Sequence, residues 1–122
     1  MKNFTDYETK SDFEINLMFL KSIRHTCGFY QDHRILKKAH AGDGRSVGVE
    51  QNDNYYWYDF CNNYNDAMGF LERAGVTLVP LQDDGRWMGL TKFEGKNVTR
   101  YSGYHTKMLR AGIQALLAKE GS

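Results

Sequence analysis

The residues with the clearest chemical promise lie between Arg86 and Arg110, where Arg86, Lys92, Lys96, Arg100, Lys107 and Arg110 are interleaved with Trp87, Tyr101, Tyr104 and His105. Guanidinium and ammonium groups meet phosphate oxygens while flat rings stack on nucleobases, so this mixture suits a nucleotide or a short single strand. Arg86, Arg100, His105, Lys107 and Arg110 are the expected phosphate contacts, with Tyr101 or Tyr104 stacking. A helix beginning near Thr106 would add free amides and the positive end of its dipole. The turn Gly42-Asp43-Gly44-Arg45 offers a second anion contact, in which Gly42, Gly44 and Arg45 would present backbone amides. Trp87 and Tyr101 stay open between ligand contact and sheet core, because strand alternation can turn either inward.

Other chemistry finds no motif. The chain holds no G-x-S-x-G, P-loop, H-E-x-x-H or C-x-x-C, so neither an enzyme nor a cofactor is expected. His25, Cys27, His33 and His40 fall in one region, but their spacing fits no usual zinc pattern and no metal is expected. Asp83-Asp84 is followed by Gly85 and reads as a hairpin turn rather than a carboxylate pair. Cys27 and Cys61 give no disulfide framework, in keeping with a reducing compartment.

The formal net charge of the 122 residues is +1, yet the charge is segregated. Residues 21–45 carry six Lys/Arg against two Asp/Glu, residues 86–110 six against one, and residues 50–84 one against seven. Such blocks can raise a local potential in a neutral protein, whether or not the two basic ones meet in space. The acidic centre disfavours a long polyanion such as DNA. No apolar run approaches the roughly 20 residues that span a bilayer, and the start of the chain lacks a leader pattern, so a soluble, unexported protein is expected.

The elements that must position these residues are punctuated clearly. Ser11-Asp12-Phe13-Glu14 is a capping box, which predicts a helix over 12–24. Its apolar residues cover more than one stripe, so it is either buried on two sides or used in a homo-oligomer. Residues 26–44 read as a long loop with one short element near 34–39. Strands are predicted over 45–51 and 54–60, joined at Asn52-Asp53. The run Tyr55-Tyr56-Trp57-Tyr58 has apolar material for both faces and is expected in a sheet covered on both sides. Asn63 caps a second helix that Gly75 ends. Strands over 76–81, 86–93 and 97–101 follow, with turns at 83–85 and 94–96, and a last helix spans 106–119. The expected fold is α+β: a single domain over residues 1–122, a three-layer α/β/α sandwich with an antiparallel-rich sheet of about five strands.

Two stretches carry a family resemblance. Ser11-Asp12-Phe13-Glu14-Ile15-Asn16, and Asp59-Phe60-Cys61-Asn62-Asn63 running into Asp66-Ala67-Met68, resemble the NinX-like phage family and the related phage α/β/α (ABA) sandwich domain. Members typically read Cys-Asn-Asn-Pro-Ala-Asp-Ala at the second stretch, where this chain has Tyr64 and Asn65 in place of Pro and Ala. A Pro at the first helical position places the N-cap at Asn63, where the capping argument puts it. Lys107-Met108-Leu109-Arg110-Ala111 partly matches the family's Asn-Pro-Leu-Arg-Ala. The resemblance implies a phage origin, action in the cytoplasm of the bacterial host, and the sandwich fold. The shared Asn62-Asn63 reads as helix entry and turn bonding rather than chemistry.

These readings combine in one expectation: a non-enzymatic phage accessory protein that binds an anionic, nucleotide-like small molecule, as a counter-defence factor sequestering a host immune signal. A protein-binding inhibitor that docks its basic patch on an acidic host protein is the alternative. A nucleic-acid-binding regulator is the third reading. No membrane partner is expected, and a homo-oligomer is.

Overall fold

The computed structural model describes residues 5–93 and 100–121, in the order α1 (Thr5–Glu8), α2 (Asp12–Cys27), β1 (Arg34–Ile35), β2 (Val47–Gln51), β3 (Asn54–Tyr58), α3 (Tyr64–Arg73), β4 (Thr77–Pro80), β5 (Trp87–Leu90), β6 (Ser102–His105) and α4 (Met108–Glu120). The α2 cap forms as its sequence requires. The Glu14 amide donates to Ser11 Oγ at 3.1 Å and the Ser11 amide to Glu14 Oε1 at 3.3 Å. Ser11→Ala is expected to lower stability by about 1 kcal/mol in urea denaturation, the usual cost of losing such a cap. At α3 the Asn63 side chain accepts from the Asp66 amide. Gly75 then takes the left-handed conformation at φ 74° beyond the helix end, and the Val76 amide closes on the Leu71 carbonyl at 3.0 Å.

The strands form two three-stranded antiparallel sheets, β1-β2-β3 and β4-β5-β6, which corrects the expectation of one sheet of about five strands. Periodicity locates strands without saying which of them pair, and here each sheet closes locally. The β2–β3 hairpin takes in β1, the short element expected near 34–39, and β4-β5-β6 is a meander. Val47 to Gln51 pair with Tyr58 to Asn54 across a two-residue turn in which Asn52 (φ 53°) and Asp53 (φ 64°) are both left-handed, the type I′ geometry. The last strand lies at Ser102–His105, beyond the predicted 97–101. Residues 97–99 of that prediction, and the predicted turn at 94–96 with Lys96, lie outside the described residues.

The long α4 is the centre of the packing. Leu109, Ala111, Ile113, Ala115 and Leu117 are all buried, and the helix lies against β4, β5 and β6 on one side and α2 and α3 on the other. Helix α2 packs between α4 and β2, so its wide apolar surface is covered on two sides within the chain. Phe19, Phe60 and Phe70 meet edge to face in the same core, Phe19 and Phe60 with ring centroids 5.1 Å apart. The β3 aromatics correct a second expectation. Tyr55, Tyr56 and Trp57 are 54, 46 and 36 % exposed, so β3 is not covered on both faces by other layers as a sandwich core strand would be. Of that run, Tyr58 packs against the core, where its ring stacks on Phe60.

Candidate functional site

The β5–β6 register decides where the predicted ligand contacts go. Trp87 lies opposite His105, Met88 opposite Tyr104, and Gly89 opposite Gly103. Gly89 and Gly103 face α4 at close range, so strand alternation turns Trp87 and His105 to the same side. Tyr104 points to the other side, where the Arg86 guanidinium sits over its ring at 5.5 Å. The sheet therefore splits the predicted set instead of gathering it.

Most of its cations are also engaged by the chain's own acceptors. Arg110 is 3 % exposed and donates to Asp12 Oδ1 at 2.6 Å, to the carbonyls of Tyr7 and Lys10 at 2.8 and 2.6 Å, and through Nε to Gln114 Oε1 at 2.8 Å. Lys107 Nζ pairs with the other oxygen of Asp12. Arg86 pairs with Asp84 at 2.9 Å and approaches Glu8 at 3.7 Å. Arg100 donates to the Thr91 carbonyl at 2.8 Å and stacks over Phe93. The Tyr101 amide is held by Thr91 Oγ1 at 2.9 Å. His105 Nδ1 accepts from the Lys107 amide at 2.9 Å, and burial together with the Arg110 charge lowers its pKa. These residues are a structural brace more than a vacant anion site.

The Gly42–Arg45 turn meets the same fate. The Gly42 amide donates to His40 Nδ1 and the Gly44 amide to the His40 carbonyl, at 2.9 and 2.8 Å. The Arg45 and Ser46 amides both donate to Asp43 Oδ1, and Ser46 Oγ donates to Asp43 Oδ2. Those hydrogen bonds from Ser46 and Arg45 hold the Asp43 carboxyl down at about 2. The turn does bind an anion, but that anion is Asp43. The Arg45 side chain in turn pairs with Asp59 at 2.6 Å.

Asp59 and Asp12 belong to one polar network built from the two sequence stretches near Ser11 and Asp59. Asn16 Nδ2 donates to Asp59 Oδ1 and the Arg45 carbonyl, while its Oδ1 accepts from the Cys61 amide at 3.0 Å. Asn62 Nδ2 bridges Asp12 and Asp59 at 2.9 and 3.0 Å. The network joins the start of α2 to the loop before α3 and, through Lys107 and Arg110, to the start of α4. Burial drives the Cys61 thiol pKa upward, which suppresses the thiolate a nucleophile needs.

Sequence reasoning missed a basic cleft. Lys21, Arg24 and His25 lie at i, i+3 and i+4 on the open side of α2, and with Gln31, His33, Arg34 and Ile35 they line a cleft of about 570 Å³. Its lining contains five basic side chains and no carboxylate. Arg24 and Gln31 are mutually hydrogen-bonded through each other's carbonyl, which ties the loop to the helix. Arg34 pairs with Glu50 from outside the cleft, at 3.1 Å. His33 Nδ1 is the buried side-chain atom among the described residues that has no hydrogen-bond partner. The His33 ring also touches Tyr56, with centroids 6.1 Å apart. The excess of cations over residues 21–45, combined with helical spacing, was the signal that could have found this cleft.

Among the described residues no three His, Cys, Asp or Glu side chains converge as metal ligands, and no helix is long and apolar enough to cross a membrane. No protein-family model matches the chain, and no curated protein matches it.

Proposed function

We propose that the protein works by binding a phosphate-bearing small molecule of nucleotide type in the cleft between α2 and β1. The carrying observation is a lining that holds Lys21, Arg24, Arg34 and the imidazoles of His25 and His33 with no carboxylate, together with a buried His33 Nδ1 that has no hydrogen-bond partner. An unpaired buried nitrogen costs free energy until a partner arrives, and a phosphate oxygen or hydroxyl is such a partner. The half-exposed Tyr56 ring beside His33 is available to stack on a base. This reading keeps the anionic ligand expected from the sequence and moves its site, because Arg86, Arg100, Lys107 and Arg110 are engaged within the fold. The biological setting rests on the resemblance described above. The resemblance supports a phage origin and action in the host cytoplasm, while the step to a non-enzymatic factor that sequesters a nucleotide-derived defence signal rests on the missing catalytic motifs in a small protein equipped to bind.

Calorimetric titration with inorganic phosphate, adenosine mono- and diphosphate and a cyclic dinucleotide tests it. Lys21 and His25 are exposed and enter no side-chain hydrogen bond or ion pair among the described residues, so Lys21→Glu with His25→Glu should leave stability within about 0.5 kcal/mol. The same pair should weaken binding by at least about tenfold, since charge-assisted contacts are each worth about 1.5–3 kcal/mol. Arg86→Gln should leave affinity unchanged. Absence of heat with every ligand, or a loss caused by Arg86→Gln and not by the cleft pair, overturns the proposal.

A further inference from the structure

A cavity of about 350 Å³ lies where the last turns of α2, α3 and α4 converge. Phe19 and Ile23 of α2, Phe70 and Ala74 at the end of α3, and Leu116 of α4 form its apolar wall. Packing holds that wall in place without a ligand. Phe70 meets Phe19 edge to face at 6.0 Å on one side and Phe29 at 5.2 Å on the other, while Phe19 and Ile23 belong to the buried core. A preformed cavity of rings and aliphatic chains with a few polar groups has the build of a small-molecule site. Since a cavity of ~150 Å³ takes up benzene, this one has room for an apolar body of about ten carbons.

The charged residues of the lining are Arg73, Lys119 and Glu120, two cations against one carboxylate. Arg73 is exposed, and its guanidinium lies over the Phe29 ring at 5.4 Å from the centroid. That contact keeps the side chain beside the cavity and leaves the N–H donors of its planar fork for a carboxylate. Arg86 and Arg110 have acids brought to them by the fold, whereas Arg73 enters no hydrogen bond or ion pair among the described residues, with Glu120 or any other acid. We infer that the cavity binds an amphiphilic monocarboxylate, with its apolar body among Phe19, Ile23, Phe70 and Leu116 and its carboxylate on Arg73. The site is separate from the anion cleft. Ser22, Ile23, Thr26 and Cys27 line the one and Lys21, Arg24 and His25 the other, on opposite sides of α2.

Decanoate, decanol and decylamine, each titrated calorimetrically into the full chain below its solubility limit, separate the parts of this assignment. Decanoate should bind about fivefold more tightly than the alcohol or the amine. From hexanoate to decanoate, affinity should rise about three- to fourfold per methylene. Arg73→Met should abolish the preference for the acid and leave decanol binding unchanged. Cys27 is exposed and lines the cavity while Cys61 is buried, so modification by a disulfide reagent reports on this site, and decanoate should slow it in proportion to occupancy. Absence of binding, alcohol or amine binding as tightly as the acid, an acid preference that survives Arg73→Met, or full Cys27 reactivity under saturating decanoate overturns the assignment. Protection of Cys27 that arises without ligand and grows with protein concentration marks a second copy over the cavity and overturns it equally.

Discussion

Arg110→Met is expected to destabilise the fold by about 3–5 kcal/mol, the usual consequence of removing one partner from a buried ion pair. The substitution leaves the Asp12 carboxylate without its buried cation. It also removes the guanidinium bonds to the Tyr7 and Lys10 carbonyls and to Gln114 Oε1. Arg110→Lys should recover only part of the loss, because one ammonium cannot span acceptors that a planar fork of five N–H groups reaches together. Urea denaturation of the three proteins gives the ordering. A purely ligand-contacting Arg110 would instead leave stability within about 0.5 kcal/mol and change affinity alone.

The same brace has a pH signature. Burial by itself would raise the Asp12 pKa, but hydrogen bonds from Lys107, Asn62 and Arg110 outweigh it and bring the carboxyl from its ordinary 3.8 down to about 2. A depressed folded-state pKa contributes stability that is complete above 3.8 and is lost as pH falls through about 2. The wild type should therefore weaken across that acid window. Arg110→Met should weaken less steeply there, since Asp12 has lost part of what holds it ionised.

The contrast between the two basic blocks shows what a sequence can carry. Local chemistry was readable: Ser11, Asn63 and Gly75 act through bonds to residues three to five positions away, and each takes the role its type and spacing demand. The fate of Arg110 was not. Its carboxylate partner lies 98 residues earlier, and Lys107 meets the same Asp12, so charge counted over 86–110 misses the acid that the fold delivers. Over 21–45 the fold brings Glu50 to Arg34 and Asp59 to Arg45, while the cleft lined by Lys21 and His25 holds no carboxylate, a difference the count does not contain. The pleat adds a second loss of information. Tyr101, Tyr104 and His105 are near neighbours in sequence, yet alternation puts Tyr104 on the opposite side from His105. Aromatic richness in β3 was likewise ambiguous, since a run such as Tyr55-Tyr56-Trp57 fits a covered strand and a sticky edge equally well until the pairing partners are known.

The closest approach between sheet and helix yields the second large effect. Gly89 and Gly103 face each other across β5 and β6, and a Cβ on either would come within 2.5 Å of the Ala111 carbonyl, with α4 backbone atoms of Gly112 or Ala115 at 2.6 Å. These are backbone atoms of a regular helix, so nothing can swing aside and α4 as a whole must lift. Gly89→Ala and Gly103→Ala are each expected to cost about 1–3 kcal/mol, toward the upper end because the helix also carries the buried Arg110 brace and the Gln114 bond to the Tyr104 carbonyl. The double variant should cost less than the sum of the singles. Both methyl groups press on the same carbonyl, so a helix lifted for one has already made room for the other. Denaturation of the three variants reads this directly. Full additivity would mean that the two glycines accommodate different movements, and then α4 would not behave as the single rigid lid on β5 and β6 that this contact describes.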